Sequence, residues 1–201
     1  MKHLRLIERT AFPKSLPFFW RFMIVTFAVL LAGMSTQAQT SGLSELPATA
    51  VPPGMTLYRQ ATVSGEDVYV CRATDTMAWD WFLTASEAKL FDATNNQIGR
   101  YTTLVTIISP GSRRETTWEN DEGTKLFAAL VQSAPLAADH NRAWQRYDVK
   151  SREGSGAFSV VQSIIRISPA WFNRPTQPCD KSHAGSEVRL PYKGSDLFLK
   201  R

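Results

Sequence analysis

Cysteine and histidine are scarce in this 201-residue chain: two of the first, Cys71 and Cys179, and three of the second, His3, His140 and His183. None stands at metal-ligand spacing, so zinc or copper has no evident ligand set and no metal site is expected. Asp180-x-x-His183 offers one weak ligand pair at most, and a solvated loop explains it better. The chain also lacks a phosphate-cradling glycine loop. Gly154-Ser-Gly156 continues as Ala-Phe-Ser, without a third glycine and without a following helix, so it reads as a hairpin turn rather than a dinucleotide site. Ser86-x-x-Lys89 matches a serine-acyltransferase tetrapeptide, but the partner motifs are missing and chance accounts for it. No catalytic residue and no cofactor is expected. Missing too are an internal repeat, a low-complexity tract and any run of about 18 apolar residues that would span a membrane.

A surplus of charge is absent once its location is considered. The chain carries +5 in total, with a pI near 9.4. Lys2, Arg5, Arg9, Lys14 and Arg21 against Glu8 place +4 of that within residues 1–38, leaving +1 for residues 39–201. That remainder has no electrostatic footprint for a phosphate backbone, and nucleic acid is not an expected partner.

The basic N-terminal stretch reads as a secretory leader. The 13 apolar residues 22–34 follow it, too short as a helix for the ~30 Å hydrocarbon core. Ser35-Thr-Gln-Ala38 then supplies Thr36 and Ala38 at the −3 and −1 positions of a small-residue cleavage site. Residues 1–38 are therefore expected to be a cleaved signal peptide, and the product periplasmic or secreted. An uncleaved signal anchor is the competing reading. Outside the cytosol two thiols with no third partner pair, and a Cys71–Cys179 bond would close a loop of about 108 residues, worth about 4–5 kcal/mol of chain entropy. Two free thiols are the alternative, with Cys71 buried and inert in the apolar run of residues 68–73.

Residues 39–54, rich in Pro, Ser and Thr, suggest a flexible lead-in to a β domain over 55–201. Residues 55–63 and 67–74 flank Ser64-Gly65-Glu66 as a hairpin would. Residues 84–90, with Thr84 and Glu87 in a capping-box arrangement, are the one helix candidate. Asn95-Asn96 tolerates the turn into 97–108, and Asn120-Asp-Glu-Gly123 joins 116–119 to 124–133. Phe158, Ile164 and Arg166 lie on one face of a late strand, with Val161, Ile165 and Ile167 on the other. That strand is expected to be buried on both sides. A last strand runs over 187–192, with a bend at 193–195, then 196–199. Short antiparallel strands without βα alternation predict an all-β fold, a single-domain sandwich or barrel.

The ordered landmarks resemble a family. They are Tyr69-x-Cys71, Trp79, Ala88-x-Leu90-x-Asp92, Ile98-Gly99, Trp118-Glu119-x-Asp121-x-Gly123-Thr124, Gly156-x-Phe158-x-x-Val161-x-x-Ile164-x-Arg166, Pro178-Cys179-Asp180 and Val188-Arg-Leu-Pro-Tyr192. Their order and spacing are similar to those of the secreted bacterial and fungal proteins grouped as domain of unknown function 3455, over roughly residues 50–199. The resemblance implies both cysteines but no reaction, cofactor or ligand. Three departures stand out. Tyr101 takes the place where the family usually has a His. About ten extra residues, including Ser109-Pro-Gly-Ser-Arg-Arg114, precede Trp118. Trp171-Phe172-Asn173 replaces a usual Gly-Gly.

Candidate binding residues are Trp118, Glu119 and Asp121, where an indole and two acids at a hairpin tip could grip a sugar, and Trp171 with Phe172 in a Pro-bounded loop. The plainer account makes Trp118 core, Asp121 part of the turn and Glu119 solvated. Arg166, if buried, needs a partner, with Glu119 or Asp121 as the candidates. The first expectation is a non-catalytic exported domain that binds a ligand or an envelope component such as a glycan. The alternatives are a carboxylate-dependent hydrolase of envelope or extracellular sugars using Glu119 and Asp121, and a purely structural or stress-linked envelope protein.

Overall fold

The computed structural model describes residues 41–107, 112–169 and 174–201; the leader, Trp171 and Phe172 lie outside them. Among the described residues eight strands follow one another: β1 (Thr56–Ala73), β2 (Trp79–Phe91), β3 (Gln97–Ile107), β4 (Ser112–Asn120), β5 (Lys125–Pro135), β6 (Arg142–Glu153), β7 (Ser163–Pro169) and β8 (Glu187–Lys200). Each pairs antiparallel with the next and β8 returns to β1, so the all-β expectation resolves to a closed barrel. Closure leaves every strand a neighbour on both sides.

Three local expectations are corrected. The expected pair of strands flanking Ser64-Gly65-Glu66 is one strand, β1, rather than a hairpin. Gly65 lies mid-strand, where a Cβ would come within 2.2 Å of the Glu87 carbonyl and 2.5 Å of the Ala88 Cβ, so glycine here permits close approach of β1 to β2. The actual turn comes at residues 74–78, with Met77 at φ 61°. Residues 84–90 are strand, not helix: Ser86, Ala88 and Leu90 are buried while Glu87 and Lys89 are exposed, a period of two. Thr84 is no cap, since its hydroxyl donates to the Val68 carbonyl across the strands. Ser86 and Lys89 consequently lie on opposite faces of β2.

The bend expected at 193–195 is likewise continuous strand within β8, paired with residues 62–64 of β1, while two turns form where residue chemistry predicts. Asn95 adopts φ 64° while Asp92 accepts from the backbone N–H of Thr94 and Asn96. Gly123 takes φ 83° in the β4–β5 turn, where the Asn120 side chain accepts from the Thr124 N–H. Bonds from Ser182 and His183 hold the exposed Asp180 carboxyl down at about 2, so Asp180 and His183 serve a loop turn.

Among the described residues apolar side chains form three clusters, the largest two inside and outside the barrel wall. Inside the barrel, Val63, Leu90, Leu126, Phe158, Ile164 and Phe198 surround Trp118 and Tyr147. Phe158 belongs to a 3-10 turn, Ala157–Val160, rather than to the late strand, and stacks on Phe198 at 4.5 Å to plug one end. Outside, Ile165, Ile167, Leu197 and Leu199 pack with Trp144 under Leu43, Leu46, Ala50 and Val51. The segment expected to be a flexible lead-in is thus, from Ser41 onward, a cover over the outer face, with Ala50 fully buried. This cover is why β7 is buried on both sides, as its sequence predicted.

At the other end, Cys71 and Cys179 form a disulfide with Cα atoms 5.5 Å apart, tying the connection before β8 to the end of β1. Such a bond persists in an oxidising compartment. Trp81 donates to the Gln177 carbonyl beside it. One seam is short: β4 and β5 pair only through Thr116–Glu119 and Lys125–Ala128, so residues 112–115 and 129–135 part from each other. Leu130 and Val131 are left exposed along that gap.

Candidate functional site

Alternation along β7 and β8 turns Ile164, Arg166, Asp196 and Phe198 inward. Register places Arg166 directly opposite Asp196, and the two form a bidentate pair: Nε to Oδ1 and Nη2 to Oδ2, each 2.7 Å. Both are almost wholly buried. Trp118 Nε1 donates to the same Oδ2 at 2.7 Å. The guanidinium lies 3.3 Å from the centroid of the Tyr101 ring and 5.4 Å from that of Trp118. Burial alone would lower the Arg166 pKa, but the Asp196 carboxylate together with the neighbouring Tyr101 and Tyr192 more than offsets it, and the group stays cationic.

Above this pair a cavity of about 90 Å³ opens toward the end opposite the Phe158 plug. Arg166, Tyr101, Tyr147, Tyr192 and Ser86 line it, with Asp67 and Arg114 at its margin. Its hydroxyls are linked in pairs: Ser86 with Tyr192 at 3.1 Å, Tyr101 with Thr103 at 2.6 Å, and Tyr147 donating to Gln145 at 3.1 Å. Burial pushes the Tyr192 phenol up to about 12 and that of Tyr147 higher still, so both remain protonated. Arg114 shares the inward parity of Thr116 and Trp118, but lies on the part of β4 that has left β5, and is exposed.

Asp67, half-buried on β1, has its carboxyl raised above 3.8 by burial, against the pull of Ser86, Arg166 and Arg114. The folded protein therefore disfavours its ionised form. No penalty exists below the ordinary value, and it grows as pH rises through the folded one. Asp67→Asn should raise the melting temperature at pH 7 relative to wild type, with the gain vanishing near pH 3; melting curves across that range provide the check.

The sequence-predicted residues do not converge here. Trp118 is fully buried and offers no ring face to solvent. Glu119 points outward and pairs with Arg100 at 2.8 Å. Asp121 is exposed in the turn. Neither acid partners Arg166, because alternation puts Glu119 on the opposite face of the wall. Glu119 instead lines an open groove of about 700 Å³ across β1–β5, with Glu87, Glu115, Lys89 and Lys125. Asp196 was missed, although the inward alternation of 196 and 198 in the last strand was available as a signal. The tyrosines carried no local signal, since only barrel closure brings 101, 147 and 192 together.

A family model described as protein of unknown function (DUF3455) matches residues 52–200. The chain belongs to that family. The DUF3455 match begins four residues before β1 and ends with β8, so it takes in the whole barrel, both cysteines and every residue lining the cavity. No curated protein and no solved structure matches the chain. Tyr101, the position where the resemblance led to a His, is the ring against which Arg166 stacks.

Proposed function

We propose that this is an exported, non-catalytic barrel that binds a small polar ligand in the cavity above Arg166. The observation carrying it is asymmetry: one end is plugged by Phe158 on Phe198, while polar groups from seven strands converge on a cavity toward the other. Eight-stranded barrels either fill with side chains or hold one small ligand, and this one does the first at one end and leaves room at the other. At about 90 Å³ the space admits a small molecule, or one end of a larger one with its remainder outside. The parted β4–β5 seam beside Arg114 gives such a remainder a way out. Export rests on the leader pattern, and the disulfide agrees with it. Hydrolysis by Glu119 and Asp121 has less support, because Arg100 holds the first and the second sits in a turn.

A screen of small polar compounds followed by backbone amide shifts tests the proposal. Shifts should gather at Asp67, Ser86 and Tyr192, and Ser168→Phe, which fills the cavity margin, should abolish them. Shifts confined to Glu87, Thr102 and Thr117 would move binding to the outer groove and overturn it.

A further inference from the structure

We propose that the group the cavity takes is a carboxylate, docked on the edge of the Arg166 guanidinium that Asp196 leaves free. This rests on the binding function proposed above and names its ligand class. Asp196 occupies Nε and one proton of Nη2. Nη1 makes no hydrogen bond within the described residues, yet it is not among the buried side-chain atoms left without a partner, because Arg166 lines the cavity instead of packing there. Nη1 and the second Nη2 proton form an end-on fork, the shape that receives two oxygens of a planar carboxylate. A protein that buries an arginine to 3% exposure normally uses its donors, and here a bidentate position stands unused.

The surroundings suit an acceptor. In the Ser86–Tyr192 pair either hydroxyl can donate; with Ser86 donating, Tyr192 is free to turn its proton into the cavity. Charge sets the valence. Asp196 neutralises Arg166, and Arg114 at the margin is balanced by Asp67 only when that acid is ionised. With Asp67 ionised these four charges sum to zero, so an arriving monoanion is opposed at the margin by Asp67 alone, whereas a phosphate dianion would place two charges beside Asp67 and Asp196. The volume agrees, being roughly that of three waters at ~30 Å³ each.

The test is an amide-shift titration of the purified protein with acetate, acetamide and glucuronate at equal ionic strength. Acetate should shift Asp67, Ser86 and Tyr192 saturably, and acetamide, of the same shape without the charge, should bind at least tenfold more weakly. Asp67→Asn removes the one opposing charge at the margin and should tighten acetate about threefold or more; Arg114→Gln should weaken it similarly. Both side chains reach solvent, and unchanged near-ultraviolet dichroism verifies that each variant keeps its packing. Tighter binding of glucuronate identifies the acid end of a sugar as the source, and binding of acetate alone a free small acid; either supports the carboxylate. Acetamide binding as well as acetate, or Asp67→Asn leaving acetate affinity unchanged, overturns the anion assignment while cavity binding stands. Silence of these amides toward all three probes, together with an empty compound screen, overturns both.

Discussion

Replacing both cysteines, Cys71→Ala with Cys179→Ala, is expected to lower the melting temperature by roughly 8–20 °C. The crosslink closes a separation of 108 residues, so its loss returns about 4–5 kcal/mol of chain entropy to the unfolded state. For a chain of this size each kcal/mol moves the midpoint by about 2–4 °C. Native packing suffers as well, because Cys71 and Cys179 sit among Tyr69, Trp81, Val188 and Leu190. Strands β1 and β8 remain paired through a long register without the bond, so the barrel should persist at low temperature in a weakened form. Calorimetry of the double variant beside wild type checks this. A midpoint within two or three degrees of wild type would show that the bond restrains little in the unfolded chain.

The second large effect is expected at the pair inside the barrel. Asp196→Asn should destabilise by about 3–5 kcal/mol, since it leaves a buried guanidinium without its anion. The same oxygen that balances Arg166 also accepts the Trp118 indole N–H, so an asparagine must satisfy both with one carbonyl. Replacing the two together, Arg166→Met with Asp196→Leu, should destabilise less than Asp196→Asn alone, because no unpaired charge is left behind. Urea midpoints of the single and double variants measure the coupling. If the single change falls within about 1 kcal/mol of wild type, water reaches Arg166 and the site is far wetter than its burial implies.

Much of the fold was legible locally. Turn chemistry is a short-range property, so Asn95 and Gly123 announced their turns from neighbouring residues alone. The cysteines were legible by elimination, there being only two. Failures came where a local pattern admits two conformations. Thr84 and Glu87 fit a helix cap and also fit a strand whose alternate residues 86, 88 and 90 face a core; pairing with β1 and β3 selected the second. Gly65 fits a turn and also fits the point where two backbones press together, and only the neighbour decides which. Phe158 shared a strand's periodicity but caps the barrel as part of a 3-10 turn. The candidate site was less legible still. Trp118, Glu119 and Asp121 stood out because large and charged residues adjoin, yet adjacency along a strand sends neighbours to opposite faces. Arg166 was recognised as needing a partner, but Asp196 lies 30 residues away and meets it only through the β7–β8 register.

What the amino-acid order determined by itself was the class of the fold, most of its turns, and the pair of sulfurs to be joined, because each depends on composition or on residues a few positions apart. Closure of the eight strands into a ring, the folding of residues 43–51 onto its outer face, and the gathering of Tyr101, Tyr147, Arg166, Tyr192 and Asp196 around one axis were decided only in three dimensions. These depend on which strands become neighbours and in what register, and a shift of a single residue would turn every one of those side chains to the opposite face.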